Sequence, residues 1–124
     1  MTNARQKLGR LGEEAALAFL ESRGMRLFKR NYRIRSGEID LIMWENDTLV
    51  FVEVRTKSHE TFGTPAETIV RQKRRKIENT ARQFLKSFRI SDEIRCRFDV
   101  VGVVFEENNE CRVNYIENAF LAGE

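Results

Sequence analysis

Proline occurs once, histidine once and cysteine twice in 124 residues. One histidine and two cysteines make a poor zinc set, because structural zinc takes four such ligands. No Pro-, Gly- or Ser-rich linker, internal repeat or low-complexity tract interrupts the chain. Residues 1–124 therefore read as one domain, long enough to bury a real core. No apolar run reaches the 18 residues of a membrane helix candidate. The opening Met1-Thr2-Asn3-Ala4-Arg5 lacks the apolar centre of a signal peptide, so no membrane is expected and the cytoplasm is the expected compartment. Charge of one sign is also missing, since 22 Lys and Arg stand against 19 Asp and Glu, a net +3. With 41% hydrophobic and 33% charged residues, the composition is globular rather than disordered.

The cysteines, Cys96 and Cys111, fall on two strands of one hairpin turning at Glu107-Asn108-Asn109-Glu110. With residue 106 opposite 111, Cys96 comes opposite residue 121, far from Cys111, and geometry argues against a bridge. Both read as packing thiols.

Hydrophobic periodicity supplies the fold. Residues 4–23 form an amphipathic helix with Leu8, Leu11, Ala15, Ala18 and Phe19 on one side, and Gly24 stops it. A strand follows at 26–35. Strands at 38–44 and 49–54 flank the turn Glu45-Asn46-Asp47-Thr48. Thr64-Pro65-Ala66-Glu67 is a helix start, with a threonine cap and a glutamate closing a capping box. That helix runs to about Phe88, with Val70, Ile77, Ala81, Phe84 and Phe88 on one side. Residues 94–105 are apolar on both faces, as in a sheet interior, and 111–117 make a last, more exposed strand. The order α-β-β-β-α-β-β predicts an α/β domain, a mixed sheet of about five strands flanked by two helices.

The central hairpin carries the chemistry. Either natural loop length at Asn46-Asp47 pairs residues whose numbers sum to 93, which puts Asp40 opposite Glu53. Carboxylates so placed, with Cβ atoms roughly 4.5–5.5 Å apart, repel each other. Proteins tolerate this by sharing a proton or binding a cation, and oxygen ligands suit Mg²⁺ or Mn²⁺. Alternation puts Glu38, Asp40, Glu53, Arg55 and Lys57 on one face, with Glu38 opposite Arg55, and turns Ile39, Leu41, Val52 and Val54 to the core. Ile42 and Phe51 share the polar face, so that face is partly covered. Glu13 lies at the border of the first helix's apolar side, aimed at the sheet. Lys73 is the only charge on the second helix's apolar stripe; it either reaches the site or a phosphate, or snorkels. Asp99, the lone charge in a buried strand, reads as a structural hydrogen-bond acceptor, and His59 as an incidental loop residue. Arg71-Gln72-Lys73-Arg74-Arg75-Lys76 puts five basic residues in six, and residues 26–35 hold five more. Such runs suit phosphate backbones, although a solvated helix face gives the same pattern.

Gly37-Glu38-Ile39-Asp40-Leu41-Ile42 and Phe51-Val52-Glu53-Val54-Arg55-Thr56-Lys57 resemble the YraN-like family of bacterial proteins. So do Leu8-Gly9-Arg10-Leu11-Gly12-Glu13 and Arg30-Asn31-Tyr32-Arg33, and the resemblance spans nearly the whole chain. That family is similar to a branch of the PD-(D/E)xK nucleases, close to archaeal Holliday-junction resolvases. The resemblance implies a restriction-endonuclease-like fold and a Mg²⁺-dependent DNA phosphodiesterase, extending to branched DNA. Asp40, Glu53 and Glu13 would be the metal ligands, and Glu13, Asp40, Glu53, Arg55 and Lys57 the catalytic set. Arg30, Arg33 and Arg35, with Arg71, Lys73, Arg74 and Arg75, would grip the nucleic-acid backbone. A symmetric homodimer follows by analogy alone. In the superfamily a lysine stands two residues after the glutamate; here that place holds Arg55, and Lys57 comes two residues later. Arginine stays protonated and accepts no proton near neutral pH. The alternative is therefore a non-catalytic nucleic-acid-binding module of the same fold.

Overall fold

The structure, a computed structural model, describes residues 3–58, 71–108 and 110–120. Helix α1 (Ala4–Ser22) begins where Asn3 and Gln6 cap each other: the Gln6 N–H donates to the Asn3 side chain at 2.8 Å, and the Asn3 N–H donates to the Gln6 side-chain oxygen at 3.3 Å. This reciprocal box satisfies two of the helix's open N–H donors. Past the other end Gly24 takes φ +93° and donates to the Glu21 carbonyl, the stop that the glycine foretold. Strands β1 (Arg26–Ile34), β2 (Gly37–Glu45) and β3 (Thr48–Lys57) follow, then α2, described from Arg71 to Ser87, β4 (Arg95–Phe105) and β5 (Cys111–Phe120). The helix start at Thr64–Glu67, together with His59 and Val70, lies outside the described residues.

The strands form one mixed sheet in the order β1-β2-β3-β4-β5. Only β3 and β4 run parallel, since α2 and its flanking chain return between them. Among the described residues the expected α/β order and the two helices hold. One helix covers each face. Ala16, Leu17 and Leu20 of α1 pack on Leu41, Met43, Val50, Val52, Val101 and Val103. Ile77, Ala81 and Phe84 of α2 pack on Ile39, Ile42, Leu49, Phe51, Phe98 and Val100. Among the described residues no helix is long and apolar enough to cross a membrane.

Simple alternation fails at two places. Ile39 was expected beside Leu41, yet it packs under α2 while Leu41 packs under α1. On the neighbouring strand Arg30 reaches Glu14 of α1, whereas Tyr32 packs its ring on Phe84 of α2. Between them Asn31 takes φ 52°, a left-handed conformation that asparagine tolerates better than most residues. The strand pair thus changes face at Asn31, beside Asp40.

The second departure is in the last hairpin. Phe105 pairs with Cys111 and Val104 with Arg112, one residue from the expected register. Glu106 N–H donates to the Glu110 carbonyl, and Glu110 N–H to the Asn108 side chain. That asparagine turn closes the hairpin one residue early. Both cysteines are free, as expected, but they are exposed rather than packed.

Candidate metal centre

Asp40 sits one position beyond the last paired residues of the β2–β3 hairpin, Leu41 and Val52. The register sums to 93 as expected, but the ladder stops short of pairing Asp40 with Glu53. Instead the Asp40 carboxyl group accepts the Val54 N–H at 2.8 Å, and so replaces a main-chain partner with a side-chain one. Glu53, like Phe51, lies on the α2 side, where Lys73 Nζ meets its Oε1 at 2.9 Å. Glu53 is only 8% exposed.

Two more carboxylates close in from the other direction. Glu13, from α1, has the Asn31 side chain close enough to favour its charged form. Glu38 is held by Arg33, whose Nε and Nη2 both meet Oε2, at 2.7 and 2.5 Å. Oxygens of Glu13, Glu38 and Asp40 all lie within 4.8 Å of one another. Because the strand pair changes face at Asn31, Asp40 can meet Glu13 from the α1 layer and Glu53 from the α2 layer at once.

Electrostatics follow from that crowding. Burial raises the Asp40 pKa from 3.8 to about 8; the Glu53 charge adds to the rise, as do Glu13 and Glu38, against the Val54 N–H. Glu13 is also raised, first by burial and then by Glu38, with Arg30 and Asn31 opposing. Carboxylates in this state gain from any added cation.

Glycine sets the spacing of both helices. A methyl group at Gly12 would overlap the Thr56 side chain of β3, and one at Gly37 would strike the Thr80 hydroxyl. Each glycine precedes a cluster glutamate, so each helix closes on the sheet where the carboxylates meet.

Two cavities open beside the cluster. One, about 480 Å³ on the α2 side, is lined by Glu38, Asp40, Glu53, Gln72, Lys73 and Lys76, among others. The other, about 490 Å³ on the α1 side, is lined by Arg5, Gly9, Glu13, Thr56, Lys57 and Ser58, among others. Lys57 therefore lies across from Glu53 rather than beside it, and the described lining of neither cavity includes Arg55. Glu38 was expected to face Arg55 but is paired with Arg33; its membership of the cluster was legible only in its alternation with Asp40. Asn31 had a weaker signal, an asparagine within a strand. Lys73 reaches the site rather than merely snorkelling.

The basic residues divide. Arg30 is tied to Glu14 and Arg33 to Glu38, and Arg74 lies 5.5 Å over the Phe120 ring. Arg35, Arg71 and Arg75 are exposed.

A family model described as "Uncharacterised protein family UPF0102" matches residues 12–103. The chain belongs to UPF0102. The matched span holds Glu13, Asn31, Glu38, Asp40, Glu53 and Lys73 and leaves out β5. A UPF0102 protein of Desulforapulum autotrophicum is 48% identical over 120 residues, covering 97% of this chain and 98% of that one. One from Pelotomaculum thermopropionicum is 43% identical over 121 residues, covering 97% and 100%. One from Alkaliphilus oremlandii is 44% identical over 116 residues, covering 93% and 98%. The YraN-like resemblance read from the sequence is this UPF0102 membership.

Proposed function

We propose that this UPF0102 protein is a divalent-metal-dependent phosphodiesterase acting on DNA, endonuclease-like and suited to branched substrates. The observation that carries the reading is the convergence of Glu13, Glu38 and Asp40 within 4.8 Å, with Glu53 lining the same cavity as Asp40. The donors are all carboxylate oxygens, the chemistry that suits Mg²⁺ or Mn²⁺ rather than zinc or copper. Asp40, Glu53 and Glu13 would hold the ion, and Glu38 adds a further oxygen. Bound there, the ion would supply an activated water and neutralise charge on the phosphate. Lys57 and Arg55 would complement phosphate charge, Lys57 through the α1-side cavity. Exposed Arg35, Arg71 and Arg75 would grip the backbone. Likeness of the Glu-Ile-Asp and Glu-Val-Arg-Thr-Lys segments to PD-(D/E)xK nucleases supports a restriction-endonuclease-like ancestry. By the same analogy the working form would be a homodimer; the lack of an apolar signal-peptide core supports the cytoplasm as its compartment.

A second reading, a nucleic-acid-binding module without efficient chemistry, is favoured by Arg55, which cannot take a proton where the superfamily carries lysine. Titrating Mn²⁺ against duplex, forked and four-way DNA separates the two. Metal-dependent cutting that Asp40→Asn abolishes is the expected result. Full-affinity Mn²⁺ binding by Asp40→Asn in calorimetry would sink the metal site itself.

A further inference from the structure

Among the described residues, the α2-side cavity is lined by no cation from β3, the strand of Glu53-Val54-Arg55. Arg55 is not among that cavity's described lining, and Lys57 opens into the cavity on the other face. Arg33 of β1 holds Glu38, and the cation on Glu53 comes from α2. Lys73 Nζ is 2.9 Å from Glu53 Oε1, and its side chain is 43% exposed against 8% for Glu53. One side of the ammonium thus rests on a nearly buried carboxylate while the other faces the open cavity. Its root is fixed relative to the site, because α2 packs directly on Gly37 through Thr80 and the Lys76 carbonyl oxygen.

We propose that Lys73 is the working cation of this site: counter-ion to Glu53 in the resting protein, and contact to the reacting phosphate once DNA is bound. A carboxylate as buried as Glu53 needs a partner whenever it is charged. A divalent ion on Glu53 would take over that role. The freed ammonium, a compact charge on a flexible four-carbon stem with rotatable donors, can then turn to a phosphate oxygen in the cavity it already faces. Lys76, one turn on, lines the same cavity but is exposed; among the described residues the ion pair on Glu53 is that of Lys73. This inference rests on the phosphodiesterase reading above.

The test uses the full chain, with Lys73→Met, Lys73→Arg and, as a charge-matched control on the same helix, Lys86→Met. Without DNA, calorimetry should show Lys73→Met binding Mn²⁺ severalfold more tightly than wild type, because a competing cation has gone. Lys73→Arg and Lys86→Met should bind it as wild type does. With Mg²⁺ and saturating four-way DNA, Lys73→Met should cut roughly 10²-fold more slowly, the scale of losing one preorganised donor to a transition state. Lys73→Arg should recover part of that rate. Unchanged Mn²⁺ affinity in Lys73→Met overturns the counter-ion role, and an unchanged rate overturns the phosphate contact, while metal-dependent cutting by wild type keeps the phosphodiesterase reading standing. A wild type that binds Mn²⁺ but cuts nothing defeats that reading, and the affinity shift alone then upholds or overturns Lys73 as counter-ion. Absence of Mn²⁺ binding in both proteins overturns both.

Discussion

Two aspartates in this sheet, Asp99 buried and Asp40 half-buried, have opposite fates. Asp99 accepts from Arg97, from the Tyr115 hydroxyl and from the Asn118 N–H, so its charge is met on every side, as its lone place in an apolar strand suggests. Asp40 accepts one N–H and otherwise faces Glu53, Glu13 and Glu38. Its carboxyl is raised from 3.8 to about 8 in the folded chain, so the native state holds a proton that the unfolded chain has released. Stability from that proton is complete below the ordinary carboxylate value and is lost as pH rises toward 8. Metal-free protein should therefore weaken between about pH 4 and 8, and Asp40→Asn should flatten that part of the slope while keeping an oxygen for the Val54 N–H. Urea titrations at several pH values check this; an equal slope in the variant would count against it. If Asp40 is a metal ligand, as proposed, it must lose its proton first, so Mn²⁺ affinity should climb with pH over the same range.

At the scale of elements, close approach matters more than propensity. Gly9 and Gly12 both lie inside α1, yet a methyl group at Gly9 meets nothing within 4 Å, whereas one at Gly12 overlaps Thr56. Gly9→Ala should stabilise by about 0.5–1 kcal/mol through helix propensity. Gly12→Ala should destabilise by about 1–3 kcal/mol, the usual cost of overpacking, and also weaken Mn²⁺ binding because Glu13 moves out with the helix. Thermal melts and calorimetry on the pair distinguish a local clash from a general effect of removing glycine. What the sequence discloses follows the same line. The β2–β3 register is legible because the Asn46-Asp47 turn and the alternation of β3 agree. The facing of Ile39 is not, because one left-handed residue on the neighbouring strand reverses it. The β4–β5 register hides in a side-chain bond at Asn108. Glu38 and Lys73 carry visible charges, but their partners, Arg33 and Glu53, depend on packing that periodicity does not encode.

Across the whole molecule, a net charge of +3 understates how unevenly its cations are committed. Arg30 and Arg33 are tied to glutamates, while Arg71 and Arg75 sit one turn apart on α2, both exposed. Like charges at that spacing cost the helix a few tenths of a kcal/mol, a cost that a polyanion removes. Arg71→Ala with Arg75→Ala should lower the salt slope of DNA binding by roughly 2 and weaken all sequences alike. An unchanged slope would identify that face as merely solvated.

The carboxylate cluster also bears on the order of assembly. Asp40 and Glu53 belong to one local hairpin, a structure that forms in roughly 1–10 μs, but Glu13 arrives only when α1 docks on β3 at Gly12 and Thr56. A half-made hairpin presents the repulsion without the full set of oxygens. If α1 docks after the rate-limiting step, an ion that needs the whole set slows unfolding and leaves refolding unchanged. Chevrons with and without Mn²⁺ should thus differ in the unfolding arm alone. A faster refolding arm would mean that the first helix is already seated when the barrier is crossed.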